Sequence, residues 1–509
     1  MGSAVAPEGV DENSMDNAAV DIAPAGPDTL VRRIVGKLPR WLLLTLTGLG
    51  FAVPVGMYFQ MVHRYAINVV LWDQLDDVTV IKASYSHFFP WGVMWAQHNE
   101  TRIFFPNLIV VLLAHTVQFN VVIEEYLSAS ILVAAIALII WAHKRRSPSV
   151  PWLFYCPVAI VMLSLVQYQN ALWGFQIAWP LTMLSLAAAI VFLDRIKLHW
   201  AFVGLAILAA VIGSLSIIQG FLIWPVGIVL LYHRRRLLTT LPWGVAAATT
   251  TAVYLRNFDT SLGSPFPGYA SHHLADSIKF YLYALGSVLG IPYSASPEDS
   301  SAQWVQLFGF ATVVVAVIAI FLVGIKRDSS TGSPIGVVLI LFGLGFAAMM
   351  TKGRIIGGLP QAGQSRYATF DLLVLAGTYL ALLGHPPLPA VIARWQSARA
   401  DQVPGITSTS NGERTRVWPT RVLLPTVGAL TGALIVVQVV YGFHYGNQGA
   451  TLFSMSQKGV LAMEQKIHQV TAAQASSIYF SLEPGPWVIE RIDLLQSHHL
   501  GPFISTGKP

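Results

Sequence analysis

The chain is nearly devoid of cysteine and poor in charge. Its one cysteine, Cys156, has no partner for an intrachain disulfide, so the fold holds without covalent staples. Inside an apolar run that thiol reads as a small buried hydrophobe. Only 11% of the 509 residues are Asp, Glu, Lys or Arg, where soluble globular proteins carry roughly a quarter. That scarcity argues against a soluble enzyme. The net charge of +6 is small for the length, with the basic residues in short clusters beside apolar segments, and this argues against nucleic acid as a partner. Long apolar runs stand where charge is missing: 54% of the residues are hydrophobic and the mean hydropathy is +0.59. The composition is that of an all-α polytopic membrane protein. Apolar periodicity is absent from residues 1–30, which read as a disordered cytoplasmic tail, and no short hydrophobic core lies near residue 1 to suggest a cleaved signal peptide.

Basic clusters orient the apolar runs. Arg32, Arg33, Lys37 and Arg40 precede the first, 41–61, which is long enough to span a hydrocarbon core of ~30 Å. The next cluster, His143 to Arg146, follows the run 126–141, so the whole of 62–125 falls outside as one external element. Within it, 103–117 is short for a crossing and reads as a juxtamembrane or re-entrant helix, as does 278–289 later. Further runs near 151–166, 175–193, 200–218, 220–232, 241–255, 303–325, 334–350, 367–384 and 422–442 alternate with basic clusters at 195–197, 233–236 and 326–327 and with a Pro- and Ser-rich cytoplasmic linker, 385–420. The pattern predicts about eleven crossings in a domain over 31–445, an external basic loop at 351–366, and a small external segment over 446–509. In that segment a helix is expected over 454–472 and a strand over 476–481.

Three polar motifs stand out against this background. The first is WDQLDD, where Asp73, Asp76 and Asp77 would crowd one face of an α-helix and can supply a general base. Trp72 beside them reads as an interfacial belt residue or as a platform for a sugar ring. The second is QHNETR at 97–102. His98 can orient a hydroxyl or a carboxylate, and Glu100 and Arg102 can bind a substrate or simply pair with each other. Three carboxylates and two histidines raise the question of a divalent cation, but their spacing matches no ligand pattern, and no other cofactor is implied. The third motif places Lys352, Arg354 and Arg366 among glycines on the face where the positive-inside rule does not expect them. Glycine lets backbone approach an anion and the arginine fork suits phosphate oxygens, so these three read as a phosphate clamp. Gln169 and Asn170, at the outer end of a crossing, can line an external cavity or serve as ordinary helix-end residues.

An acidic motif in the first external loop, juxtamembrane helices after it and a basic external loop late in the chain resemble the GT-C superfamily of membrane glycosyltransferases. WDQLDD, WAQHNETRIFFPNL, NALWGFQIAW, QGFLIWPVG and GR followed by QSRYATF are similar to bacterial membrane proteins of that layout over roughly 40–445. The resemblance implies an inverting transfer at the outer face of the cytoplasmic membrane. A sugar on a polyprenyl-phosphate donor would pass to a cell-envelope glycan or lipid acceptor. A loop carboxylate would deprotonate the acceptor hydroxyl while cations hold the lipid phosphate. Many relatives carry adjacent Asp-Glu where this chain has Asp73-Gln74, which leaves the base open between Asp73 and Asp76. The rival reading is a flippase or transporter of lipid-linked sugars, which should bury charged residues within its crossings. The crossings here read as nearly free of charge, which favours an enzyme.

Overall fold

A computed structural model of the chain describes residues 39–504 apart from 88, 149, 196, 235, 260–267, 295, 297–298, 325–333, 384–417 and 479–482. The tail 1–30 and nearly all of the linker 385–420 therefore lie outside the described residues. The architecture is all-α and multi-pass. Among the described residues, eight helical stretches are long and apolar enough to cross a membrane: Arg40–Tyr65, Val121–Arg146, Trp152–Leu172, Gly174–Leu193, Ser301–Leu322, Ile335–Ala362, Ser365–Leu383 and Leu423–Glu464. The three other expected runs are helical too, but fall short of that standard. Trp200–Ser214 and Ile218–His233 are only 10–17 residues long. Leu237–Leu255 has 19 residues, diluted by threonines and interrupted by Pro242.

Opposite ends of the same helices carry opposite chemistry. Val121–Arg146 runs from Glu124 to Arg146, and Ala178–Leu193 begins after Gln176 and ends at Asp194. The polar motifs gather at one end of these helices and the basic clusters at the other. The crossings are not free of ionisable groups, contrary to the expectation from sequence. Glu124, Glu125 and Asp371 are fully buried within spanning stretches. Glu124 and Glu125 lie just inside the start of their helix, where a hydropathy scan assigns them to the preceding loop.

At the polar end the helices give way to short 3₁₀ segments: Trp72–Asp76, Gly174–Ile177, Ile218–Leu222, Ile355–Gly357 and Ser365–Tyr367. Unwound backbone at a membrane boundary persists only where protein or a wet cavity satisfies its polar groups. Beneath them lies a packed aromatic layer in which the Phe370 ring lies 5.2 Å from Trp179 and 5.1 Å from Phe346.

The final spanning helix, Trp418–Glu464, has 47 residues, roughly 70 Å at 1.5 Å per residue. It therefore outruns the hydrocarbon core and runs unbroken through position 446, where the sequence suggests a boundary. Phe453 on its far end packs against Trp72, and the helix Gly485–Ser497 lies over Asp77–Ser86, tied by Lys82 to Glu490 at 3.2 Å. The C-terminal segment thus roofs the acidic loop. The expected helix over 454–472 is the end of this long helix followed by a 3₁₀ turn. The expected strand over 476–481 does not form at its start, where Ala472–Ser477 is helical with a Thr471 capping box; 479–481 lie outside the described residues.

Candidate functional site

Val69, Val70 and Leu71 are fully buried, and the chain turns sharply at Trp72, whose φ of +51° is rare for a bulky residue. The Trp72 indole is held edge-on against Trp173, 4.9 Å between centroids, and against Phe453 at 5.7 Å. It supports the loop from inside, which accounts for its place better than a membrane belt does. The turn launches the 3₁₀ segment Trp72–Asp76, and helix type decides where the acids point. At three residues per turn, Asp73 and Asp76 share a face and Asp77 is swung away. The expected single acidic face is therefore divided. Asp73 lines the cavity described below, Asp76 reaches His98, and Asp77 is buried toward Glu124. Burial, then the charges of Glu124 and Asp76, hold the Asp77 carboxyl well above the usual carboxylate range.

His98 and Thr101 face each other across a two-residue hairpin, with Gln97 opposite Arg102 and Asn99 at φ +48° in the turn, a conformation asparagine tolerates. The hairpin places the His98 Nδ1 3.2 Å from Asp76 Oδ2 and its Nε2 3.9 Å from Asp73 Oδ2. Burial disfavours a charged ring there, but hydrogen bonding and charge from Asp73 and Asp76 prevail and raise its pKa to about 10. Burial likewise pushes Asp73 up; His98, Arg366 and Arg354 outweigh it and leave that carboxyl below its ordinary value. At neutral pH the ring is an imidazolium between two carboxylates. Asn99 Nδ2 stands 3.1 Å from His98 Nε2.

Glu100, at the hairpin tip, forms an ion pair with Arg354 instead of with Arg102. Arg102 is buried and spent on main chain. It donates from Nε to Tyr254 O at 2.9 Å, from Nη1 to Trp95 O at 2.6 Å, and from Nη2 to Arg256 O at 2.9 Å and Asn257 O at 3.3 Å. Carbonyls at a helix C-terminus lack intrahelical partners, and Arg102 supplies them at the end of Leu237–Leu255. It is an anchor for the hairpin, out of reach of a substrate.

Gln169 and Asn170 are also supports. Gln169 Oε1 accepts from Arg366 N at 3.2 Å, and Asn170 Nδ2 donates to Arg366 O at 2.7 Å and to Thr369 Oγ1 at 2.8 Å. Together with Ser365, whose hydroxyl donates to Val166 O at 2.6 Å, they staple the Ser365–Tyr367 turn. Arg366 is thereby fixed through its backbone while its guanidinium lies 5.7 Å from the Trp173 ring centre and 5.3 Å from that of Tyr367. No hydrogen-bond acceptor among the described residues takes that guanidinium. Gly358, at φ +68° and ψ −171°, adopts a backbone conformation essentially closed to other residues and turns the chain between Arg354 and Arg366.

These elements enclose a cavity of about 480 Å³. Asp73, His98, Glu100, Arg354 and Arg366 line it, with Trp173, Trp179 and Tyr367 as its aromatic floor. Lys352 is exposed and does not line it. Of the residues expected from sequence, Asp73, His98, Glu100, Arg354 and Arg366 come together on the cavity. Asp76 joins through His98, Trp72, Gln169, Asn170 and Arg102 hold the walls, and Lys352 stands apart.

Phe175, Gln176 and Trp179 line the cavity without having been singled out as site residues; aromatic residues at helix ends carry no signal that separates a cavity wall from an interfacial belt. Behind the wall formed by Trp173 and Phe175, Glu124 accepts from Gln74 at 2.9 Å. A side chain at Gly174 would collide with both groups, so glycine is required there. Among the described residues no group of three or more His, Cys, Asp or Glu is arranged to hold a metal ion. Compared with family models, curated proteins and solved structures, the chain matches none of them.

Proposed function

We propose that the protein is a membrane glycosyltransferase of the GT-C type, moving a sugar from a polyprenyl-phosphate donor to an envelope glycan or lipid with inversion. One observation carries this reading: a carboxylate, Asp73, and two arginines, Arg354 and Arg366, line a single cavity at the ends of membrane-spanning helices. In-line displacement at an anomeric carbon needs a base on the acceptor side and charge stabilisation on the leaving-group side. The aromatic floor offers a π-face to a sugar ring, and apolar helices around the cavity suit a polyprenyl tail. Asp73 would accept the proton of the acceptor hydroxyl as that oxygen bonds to the anomeric carbon. The sugar's bond to the donor phosphate breaks, and the phosphate leaves onto Arg366 and Arg354. His98 and Asp76 hold Asp73 ionised and oriented.

On this reading the polar end lies at the outer face of the cytoplasmic membrane, about eleven helices cross it, and the basic ends face inward, as the positive-inside rule requires. A second reading, a carrier of lipid-linked sugars, draws support from Glu125 and Asp371. Both are buried in spanning stretches, and their carboxylate oxygens have no hydrogen-bond partner among the described residues. Incubating the purified protein with a panel of polyprenyl-phosphate sugars and acceptors separates the two. The enzyme releases polyprenyl phosphate and forms a glycoside; a carrier in vesicles moves the intact donor and releases nothing.

A further inference from the structure

At the end of the bundle opposite the cavity, five arginines from three connections gather around Asp194, and two of them, Arg146 and Arg234, bond to its carboxylate. Arg145 and Arg146 close the helix Val121–Arg146, Asp194 and Arg195 follow Ala178–Leu193, and Arg234 and Arg236 lie between Ile223–His233 and Leu237–Leu255. Asp194 is fully buried. Its Oδ2 accepts from Arg146 Nε at 3.0 Å, and its Oδ1 accepts from Arg146 Nη2 at 3.1 Å and from Arg234 Nε at 2.6 Å. The Asp194 main-chain oxygen takes Nη2 of both Arg145 and Arg146 at 2.7 Å, and Arg236 Nη2 donates to Arg195 O at 2.5 Å.

One carboxylate cannot saturate this many donors. A guanidinium carries five N–H groups, and both Asp194 oxygens are already engaged. Arg145 Nη1, Arg195 Nε and Arg234 Nη2 are buried and meet no acceptor among the described residues. Cations that serve only to mark the inner side of a membrane can stay in water. Here they are drawn together and partly desolvated, which is costly unless an anion completes the set. Trp141, Trp200, Leu237 and Leu238 are exposed around the cluster, as a lipid-facing surface would be.

We propose that this cluster binds the phosphate headgroup of an anionic membrane lipid in the leaflet opposite the cavity, with Asp194 fixing the arginines in place. A phosphodiester supplies several acceptor oxygens of the geometry that guanidinium forks match, and basic pockets between spanning helices suit such headgroups. The inference is independent of the glycosyltransferase reading.

The test titrates purified protein in neutral detergent with phosphatidylglycerol, with phosphatidylcholine and, in a separate arm, with inorganic phosphate, reading retained ligand by native mass spectrometry. Phosphatidylglycerol should be held about ten-fold more tightly than phosphatidylcholine, since its phosphate carries a net negative charge that the choline headgroup cancels. Arg145→Gln and Arg234→Gln should each remove most of that preference. Arg145 bonds only to main-chain oxygens, at Val191 and Asp194, so its variant should fold even where Arg234→Gln does not. Equal retention of the two lipids, a preference unchanged in folded Arg145→Gln, or displacement of phosphatidylglycerol by inorganic phosphate at matching concentration would overturn the proposal.

Discussion

Glu100 and Arg354 lie 254 positions apart and close an ion pair between the hairpin tip and the basic loop. The pair occupies one of the two arginines proposed to receive the donor phosphate, so Glu100 competes with the donor for Arg354. Both side chains are about one-third exposed, at 31% and 38%, and such a pair stabilises the fold by roughly 0–1 kcal/mol. Glu100→Gln should therefore leave the unfolding midpoint almost unchanged. It should tighten polyprenyl-phosphate binding by about two- to five-fold, measured by quenching of tryptophan fluorescence.

Arg366 presents its guanidinium to the cavity without a hydrogen-bonding partner among the described residues. Arg366→Ala should weaken donor binding by roughly 1.5–3 kcal/mol, the range for a hydrogen bond to a charged group. Arg366→Lys should recover only part, because a point charge replaces a fork. Arg354→Ala should cost less, since Glu100 already occupies that guanidinium. Titration with the same lipid phosphate compares all three.

Arg102 separates a structural arginine from a binding one. Arg102→Ala leaves carbonyls at Trp95, Tyr254 and Arg256 unpaired, and should lower stability by at least about 2 kcal/mol, with Arg102→Lys hardly better. The change should appear in the denaturation midpoint, together with faster hydrogen exchange across the hairpin at 97–102.

The His98 imidazolium gives the site a signed pH dependence. Its pKa rises from 6.5 to about 10 on folding. The stabilisation it adds is full below pH 6.5 and is lost as pH rises through about 10. On the acid side, Asp73 is held below the ordinary carboxylate value, so its own contribution is full above that value and fades only as pH falls below it. The difference in denaturation midpoint between parent and His98→Gln should be largest near pH 5–6 and should shrink toward zero above pH 10.

The all-α, multi-pass architecture and the polar end were legible because hydropathy and positive charge report membrane crossing directly, whereas three of the expected runs fall short of the length and apolarity of a span. Contacts that cross the sequence were not. Nothing local in QHNETR shows that Glu100 seeks Arg354, or that Arg102 caps a helix about 150 residues away. The division of the acidic triplet depends on 3₁₀ geometry, which Asp73, Asp76 and Asp77 do not encode by spacing alone. Gln169 and Asn170 resemble sugar-binding amides by type, and only their partners at Arg366 show them to be staples. Glu124 and Glu125 are concealed for a related reason: carboxylates at the start of an apolar run look like the edge of a loop, while the helix carries them into the core.

The role of base proposed for Asp73 is tested by single-turnover release of polyprenyl phosphate from a donor already bound to the protein, with acceptor present, for the parent and for Asp73→Asn. Asparagine keeps the shape and removes the basicity. The rate should fall by about 10²–10⁴ with donor affinity nearly unchanged, Asp76→Asn should fall less, and Asp77→Asn should stay within a few-fold. Full turnover by Asp73→Asn, or release by the parent that does not depend on acceptor, would contradict the account.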